Sequence, residues 1–204
     1  MHLIPTQEET VALLRQTGGL RDGHFEYSNG LHSNEYLQVP LTMRYYEAAK
    51  ILSVGLSRLL RANSEIRAMI PELSIIAHAP AGLPIAFGVC EALRAHQVYW
   101  AENASANEPM RFRQYLELKP GEKVLLVDDI LRSGRKLADL KALVESKGGE
   151  VVGLAVVIYQ PTPNTMNFDP LPFYYLAKLE ANYYKDEKSC DLCKRGVPAA
   201  RVGI

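Results

Sequence analysis

The sequence lacks three features that would each point to a particular class of protein. It has no stretch approaching about 18 consecutive apolar residues, the length that a membrane-spanning helix needs. Its amino terminus, Met1-His2-Leu3-Ile4-Pro5, lacks the basic start and long apolar run of a signal peptide. Its 23 basic and 23 acidic side chains cancel, so no excess of positive charge favours nucleic acid or a membrane surface. We therefore expect a cytoplasmic protein that binds neither nucleic acid nor membrane.

Cysteine is scarce as well, because the chain has only Cys90, Cys190 and Cys193. This odd and sparse set argues against a framework of disulfides. The last two cysteines form one Cys-x-x-Cys pair, which offers two zinc ligands, whereas a structural zinc site takes four. We expect two free thiols here, and a zinc site is the weaker alternative.

A buried strand followed by two acids organises the chain. Val124–Val127 is an uninterrupted apolar run, typical of a parallel strand that is buried on both faces. Asp128 and Asp129 follow it directly, and Ser133-Gly134 then opens a segment with apolar residues at helical spacing. The loop 131–136 is therefore predicted to lie between the carboxyl end of a strand and the amino end of a helix, where an open α/β sheet binds its ligand.

The chemistry of this loop favours a phosphorylated sugar. Amide N–H groups at a helix start, a small Ser-Gly pair and the cations Arg132, Arg135 and Lys136 form a cradle for an anion. Asp128 and Asp129 can accept hydrogen bonds from sugar hydroxyls or hold water around Mg²⁺. In the alternative interpretation the acids only cap the helix, and the cations form a solvated face.

A second strand–loop–helix unit precedes this one. Residues 73–78 are typical of a buried strand, residues 79–84 form a tight loop of small residues and 85–94 a helix. Small side chains would let a diphosphate approach the backbone N–H groups. His78 is predicted to be a core residue at the strand end. Further strands predicted at 97–100, 151–158 and 172–179 complete a parallel α/β sheet flanked by helices.

The amino-terminal 40 residues have a different pattern. Thr6-Gln7-Glu8-Glu9 has the spacing of a capping box that begins a short helix. Ser28-Asn29-Gly30 then separates two β-prone runs, 23–27 and 33–38, which predicts a hairpin. A polar stretch at 102–109 is predicted to be a mobile loop. The chain is thus one domain, 1–204, with a small amino-terminal flap at 1–40, an α/β core at 41–180 and a tail at 181–204.

Three segments carry a resemblance to a known family. Val124–Lys136 resembles the phosphoribosyl pyrophosphate (PRPP) signature of type I phosphoribosyltransferases. Gly19–Gln38 is similar to the amino-terminal hood of orotate phosphoribosyltransferases, and Cys190–Pro198 resembles the tail of one bacterial branch of them. The resemblance covers nearly the whole chain. For the hood, an ordinary edge hairpin is the alternative.

The resemblance implies transfer of ribose 5-phosphate from PRPP to a nucleobase, with Mg²⁺ held mainly by the substrate, in a homodimer. Orotate is the favoured base. Asp128 and Asp129 would then bind the ribose hydroxyls, and Arg111 or Arg113 would neutralise the leaving group. The 5-phosphate site would comprise Leu131, Arg132, Ser133, Gly134, Arg135 and Lys136. The pyrophosphate loop would comprise Ala79, Pro80, Ala81 and Gly82. The base would lie near Ser28, Tyr36 and Leu37.

Two departures from the family pattern keep rival functions open. The loop at 102–109 has no lysine or arginine before Arg111, where the family carries a catalytic lysine. Tyr159-Gln160 stands where orotate enzymes carry an Asp-Arg pair, so the orotate carboxylate would need hood amides or another arginine such as Arg44. A purine phosphoribosyltransferase would explain the second departure. A PRPP-binding regulator with little catalysis would explain the first.

Overall fold

The computed structural model describes residues 3–105, 108–112, 118–180 and 182–202. The helices are α1 (Gln7–Thr17), α2 (Val39–Met43), α3 (Tyr46–Ala62), α4 (Ser64–Met69), α5 (Leu83–Leu93), α6 (Arg135–Ser146) and α7 (Asp191–Lys194), with a 3₁₀ turn at Ile70–Glu72. The strands are β1 (Leu20–Tyr27), β2 (His32–Leu37), β3 (Ser74–His78), β4 (Gln97–Glu102), β5 (Arg111–Phe112), β6 (Lys123–Leu131), β7 (Glu150–Tyr159), β8 (Phe173–Lys178), β9 (Tyr183–Tyr184) and β10 (Ala200–Val202).

A six-stranded sheet in the order β5-β4-β3-β6-β7-β8 forms the centre of the fold. Its strands are parallel apart from β5, which pairs antiparallel with β4 at the edge. The predicted α/β class is therefore confirmed. In the described part of the chain, no helix is both long and apolar enough to cross a membrane.

The sheet is buried on both faces because its strands carry apolar side chains at successive positions. In β6, Leu125 and Val127 pack into the cluster that includes α3 and α5, whereas Leu126 packs with Leu137 and Leu140 of α6 on the other face. This two-sided burial fixes β6 in the middle of the sheet, and it fixes with it the two acids at the end of that strand.

The hood is a second sheet, and the tail supplies half of its strands. Its order is β10-β1-β2-β9, with β1 and β2 paired as the predicted hairpin. The two ends of the chain, which the sequence predicted as a flap at 1–40 and a tail at 181–204, therefore build one sheet. β9 has two residues and β10 three, too short for an alternating pattern to reveal them in the sequence.

Two local predictions met different outcomes. The capping box is present, since Thr6 Oγ1 accepts from the Glu9 amide and Glu9 Oε2 accepts from the Thr6 amide. The predicted loop 131–136 is shorter than expected, because β6 continues through Leu131 and α6 begins at Arg135. Only residues 132–134 connect the strand to the helix.

Helices α3 and α5 pack closely at Gly88. A Cβ added to Gly88 would lie 3.0 Å from Ser53 Cβ and closer still to Ser53 Oγ, a buried hydroxyl without a hydrogen-bond partner. We expect Gly88→Ala to lower the free energy of unfolding by about 1–2 kcal/mol, because overpacking exceeds the gain in helix propensity. Chemical denaturation measures this, and Ser53→Ala in the same background should restore at least half of the loss. A stabilised Gly88→Ala variant would contradict the close packing.

Candidate active site

The loop after β3 packs directly against the first acid of the pair. β3 and β6 are parallel neighbours with Ile76 opposite Leu126, so their carboxyl ends lie at the same edge of the sheet. A Cβ added to Gly82 would lie 2.7 Å from Asp128 Oδ1 and 3.0 Å from the His78 carbonyl oxygen. Only glycine fits there without a shift. The structure thus brings the predicted pyrophosphate loop, 79–82, to the predicted acid pair.

Asp128 and Asp129 are buried, with 6% and 8% of their surface exposed. Asp128 Oδ1 accepts from the Asp129 amide at 3.0 Å, and Asp129 Oδ1 accepts from the Ile130 amide at 2.8 Å. Burial raises the pKa of the Asp128 carboxyl well above its ordinary value, and repulsion from Asp129 raises it further. Burial also raises the pKa of Asp129, against the Ile130 amide and the charge of Arg132, which lower it. Burial thus makes the ionised form of each carboxyl less favourable than it is for an exposed aspartate.

The amino end of α6 follows the acid pair. Gly134 caps the helix with a left-handed φ of 79°, and a Cβ there would meet the Phe168 ring at 3.0 Å. Ser133 is half-buried, whereas Arg135 and Lys136 are exposed on the first turn. The charge of Lys136 lowers the pKa of both Asp128 and His78, so it acts on both strand ends. This end of the helix provides first-turn amides, which have no partner within the helix, and cations, both of which favour an anion.

Two members of the predicted 5-phosphate site have other contacts. Leu131 lies inside β6, is 2% exposed and packs in the core, so its side chain cannot contact a phosphate. The side chain of Arg132 turns towards the hood. Its Nε donates to Gln160 Oε1 at 2.8 Å, and its Nη2 donates to the Leu37 carbonyl oxygen at 3.3 Å. The side chains that remain for the phosphate are those of Ser133, Arg135 and Lys136.

Gln160 is the centre of a polar network that sequence reasoning missed. It is 2% exposed, and its Oε1 also accepts from the Tyr183 hydroxyl at 3.2 Å. The Tyr27 ring lies edge-on to Tyr183, with 5.9 Å between centroids. Burial raises the pKa of Tyr27, while the charge of Arg132 opposes that shift. The only signal in the sequence was Tyr159-Gln160 at a strand end where the family has Asp-Arg.

The three predicted base-binding residues do not lie together. Tyr36 and Leu37 end β2, and Leu37 contacts Arg132 through its carbonyl group. Ser28 is exposed in the turn at the opposite end of the hairpin. The length of β2 separates them by about 17 Å, since a strand rises about 3.3 Å per residue. Of these three residues, Leu37 is the one whose contact with the signature loop the structure shows, through its bond with Arg132.

Of the two predicted leaving-group arginines, the structure describes only Arg111, and Arg111 is not at the acid pair. Arg111 is exposed on β5, opposite Glu102 of β4. Three strand spacings separate β5 from β6, which is about 14 Å. Arg113 lies outside the described residues. The base of the 102–109 loop does reach the site, because Asn103 Oδ1 lies 3.1 Å from His78 Nε2. His78 is 7% exposed and its pKa is lowered by burial, so the predicted core position is confirmed.

The acid pair fits a Mg²⁺ ion that is held mainly by substrate. Its carboxylate oxygens are the hard ligands that Mg²⁺ prefers, and each carboxylate retains acceptor capacity beyond its bond to a backbone amide. Among the described residues, no third histidine, cysteine or acid joins this pair to form a protein-only site. Substrate oxygens and water would have to complete the coordination.

The role of the acid pair is tested by replacing both carboxylates with amides. We expect the double variant Asp128→Asn, Asp129→Asn to bind PRPP at least about 100-fold more weakly, because charged acceptors for the ribose hydroxyls are lost. It should still fold. Acids with raised pKa values lower stability as the pH rises above the ordinary Asp value, so the variant's melting temperature at pH 8 should equal or exceed that of the wild type.

Calorimetry with PRPP and thermal melts from pH 5 to pH 8 measure both effects. Asp139→Asn, which changes an exposed acid of α6, is the matched control and should alter neither. Unchanged PRPP affinity in the double variant would remove the acid pair from the site.

Comparison with known proteins agrees with this geometry. The phosphoribosyl transferase domain family matches residues 74–167, which span both loops and the acid pair. An orotate phosphoribosyltransferase of Carboxydothermus hydrogenoformans is 34% identical over 191 residues, which are 94% of each chain.

Solved structures share the fold without identifying the base. The orotate phosphoribosyltransferase of Aeropyrum pernix superposes with a TM-score of 0.64 at 17% identity, over 82% of this chain and 92% of that one. The adenine phosphoribosyltransferase of Thermoanaerobacter pseudethanolicus gives 0.59 at 16% identity, over 71% and 88%. Both orotate and adenine enzymes therefore have this architecture. The sequence relative decides between them, and the chain belongs to the orotate phosphoribosyltransferase family.

Proposed function

We propose that this protein transfers ribose 5-phosphate from PRPP to orotate, giving orotidine 5-phosphate and pyrophosphate. The observation that carries the proposal is the contact between Gly82 and Asp128, which joins two anion-binding loops across one acid pair. PRPP has the matching arrangement, with a phosphate and a diphosphate on either side of a ribose that carries two hydroxyls. Membership of the orotate phosphoribosyltransferase family supports the choice of orotate.

Each end of PRPP has its own partner in this proposal. The amides and cations from Ser133 to Lys136 hold the 5-phosphate at the start of α6. Asp128 and Asp129 accept hydrogen bonds from the ribose hydroxyls, and the loop 79–82 lies against the pyrophosphate. When bound, Mg²⁺ would neutralise part of the charge of the diphosphate.

The reaction exchanges two bonds at C1 of the ribose. The bond from C1 to the pyrophosphate oxygen breaks, the electron pair leaves with pyrophosphate, and a ring nitrogen of the base forms the new bond to C1. Positive charge develops on the ribose and negative charge on the leaving group, so the site must stabilise both. The buried carboxyls lie on the ribose side and the cations on the phosphate side. Arg111 or Arg113 as the leaving-group cation, the homodimer and the cytoplasmic location stay predictions.

Arg132 is our proposed partner for the orotate carboxylate. Its guanidinium donates to Gln160 Oε1 and the Leu37 carbonyl, and both acceptors are neutral. Neither bond is an ion pair, and together they use two of the five N–H donors of the guanidinium. A carboxylate is the ligand that a guanidinium fork binds best. The guanidinium lies between the residue that follows β7, Gln160, and the end of β2. It therefore places a cation beside the position at which orotate enzymes carry an arginine and this chain carries a glutamine.

Arg44, the alternative expected from the sequence, is positioned less well. It is exposed, its guanidinium lies 4.9 Å from the Tyr45 ring centroid, and its Nη2 donates to the Tyr45 hydroxyl at 3.0 Å. Nothing in these contacts connects Arg44 to the acid pair or to the signature loop. Arg44→Ala is therefore a suitable control for substitution of Arg132.

The base specificity is tested by following pyrophosphate release with PRPP, Mg²⁺ and one base at a time. We expect release with orotate and little with uracil, adenine or hypoxanthine, because only orotate offers a carboxylate to Arg132. Consumption of adenine or hypoxanthine in place of orotate would establish the purine function. PRPP binding by calorimetry without pyrophosphate release from any base would establish the regulator.

The role of Arg132 is tested by Arg132→Met. We expect the KM for orotate to rise about 10- to 100-fold, because a charge-assisted hydrogen bond is worth about 1.5–3 kcal/mol, with the Kd for PRPP within about twofold. The kcat/KM for uracil, which lacks the carboxylate, should stay unchanged, and Arg44→Ala should change neither base.

Three results would contradict this role. An equal loss for orotate and uracil would mean that Arg132 only positions the hood. A matching loss of PRPP affinity would return Arg132 to the 5-phosphate site predicted from the sequence. A raised KM for orotate in Arg44→Ala would favour Arg44 instead.

A further inference from the structure

Four potential metal ligands converge where the tail meets the hood. His24 of β1 and His32 of β2 face Cys190, just before α7, and Cys193 within it. One ligand atom from each residue lies within 4.8 Å of every other, although His24 and Cys190 are 166 positions apart in the chain. The sequence led us to expect two free thiols because it showed only two ligands. Folding brings the other two ligands, His24 and His32, to Cys190 and Cys193.

The separations match the edges of a zinc tetrahedron. Zinc bonds of about 2.0–2.1 Å to nitrogen and about 2.3 Å to sulfur give ligand-to-ligand edges of about 3.3–3.8 Å. Cys190 Sγ and Cys193 Sγ each lie 3.5 Å from His24 Nε2, and Cys193 Sγ lies 3.4 Å from His32 Nδ1. His24 Nε2 and His32 Nδ1 are 2.9 Å apart, so they would have to move slightly further apart to bind the same ion.

A backbone carbonyl orients one of the ligands. His24 Nδ1 lies 2.7 Å from the Val197 carbonyl oxygen, which can only accept, so Nδ1 carries the proton. The lone pair of Nε2 is then directed into the cluster. This is the outer hydrogen bond that fixes the tautomer of a histidine ligand. Val197 reaches this position because its amide bonds back to the Leu192 carbonyl, which closes the chain around α7.

The burial of the four residues indicates a structural metal site rather than a catalytic one. His24 and His32 are 5% exposed, Cys190 is fully buried and Cys193 is half-buried. Four protein ligands leave no coordination position for water or substrate. Two sulfurs with two imidazole nitrogens in tetrahedral array select zinc over the oxygen-preferring ions Mg²⁺ and Ca²⁺.

We propose that His24, His32, Cys190 and Cys193 bind one structural Zn²⁺ ion that fastens the carboxyl-terminal tail to the hood. On binding, the two thiols lose their protons to solvent and both sulfurs coordinate as thiolates. The ion supplies strength that β9 and β10, with two and three residues, cannot supply by strand pairing alone. The site does not depend on which base the enzyme accepts.

Metal content is the first test, on full-length protein purified without a histidine tag or added zinc. We expect about one equivalent of zinc by mass spectrometry of the metal, and a melting temperature that falls by several degrees after chelation and returns with Zn²⁺. Protein reconstituted with Co²⁺ should show the visible bands of a tetrahedral site and the near-ultraviolet band of thiolate-to-cobalt charge transfer.

Variants assign the ligands. Cys193→Ser and His32→Gln should each lower zinc occupancy at least tenfold under competition with a chelator, and Cys193→Ser should weaken the thiolate-to-cobalt band. Cys90→Ser is the matched control, because the Cys90 thiol lies outside the cluster and donates to the Ala95 carbonyl oxygen. It should retain full zinc and the full spectrum.

Three outcomes would overturn the proposal. The first is wild-type protein with far less than one equivalent of metal, two rapidly reactive thiols at Cys190 and Cys193, and no response to chelator. The cluster would then be held by a hydrogen bond between the histidines. The second is a Cys190–Cys193 disulfide found by peptide mass spectrometry in freshly purified protein. The third is an unchanged cobalt spectrum in Cys193→Ser.

Discussion

The burial of two adjacent carboxyls at the end of β6 is the constraint on which the site depends. Desolvation and mutual repulsion make this arrangement unfavourable in the free protein, as the raised pKa values of Asp128 and Asp129 show. The fold tolerates it because β6 is fixed from both faces, and because backbone amides and a nearby cation offset part of the repulsion. A sugar that donates hydroxyl groups to the pair would relieve it further. In the proposed function, the ribose of PRPP supplies these hydroxyl groups.

The same constraint explains the residues around the pair. Gly82 has no side chain because Asp128 occupies the space, and Gly134 has none because the Phe168 ring covers the helix start. In the proposed function, the small residues at both loops let backbone amide groups, rather than side chains, lie nearest to the phosphate groups. The Arg132 side chain is then not needed at the phosphate. It contacts Gln160 and the Leu37 carbonyl at the end of β2 instead.

The sequence predicted those parts of the molecule that local patterns determine. Apolar runs identified β3, β6 and β7, the capping box identified α1, and Asn29-Gly30 identified the hairpin. The acid pair and the two loops followed from the position of polar residues at strand ends. What could not be predicted depends on contacts between distant segments: β9 and β10, the direction of the Arg132 side chain, the network at Gln160, and the approach of His24 and His32 to the tail. None of these leaves a periodic signal, since each residue has its role only after the chain has folded.

Two contacts of the hood lie at opposite ends of β2. At its last residue, Leu37, β2 is tied to the signature loop by Arg132, and at its first residue, His32, it reaches the cysteines of the tail. About 17 Å of strand separates these ends, so a change at one need not be felt as a loss of contact at the other. In the proposed function, the Arg132 end of β2 adjoins the base. In the zinc proposal, four protein ligands complete the coordination of the ion at the cysteine end, so the ion there would be structural. Fastening the far end of β2 to the tail would keep the hood folded while the Leu37 end contacts the base.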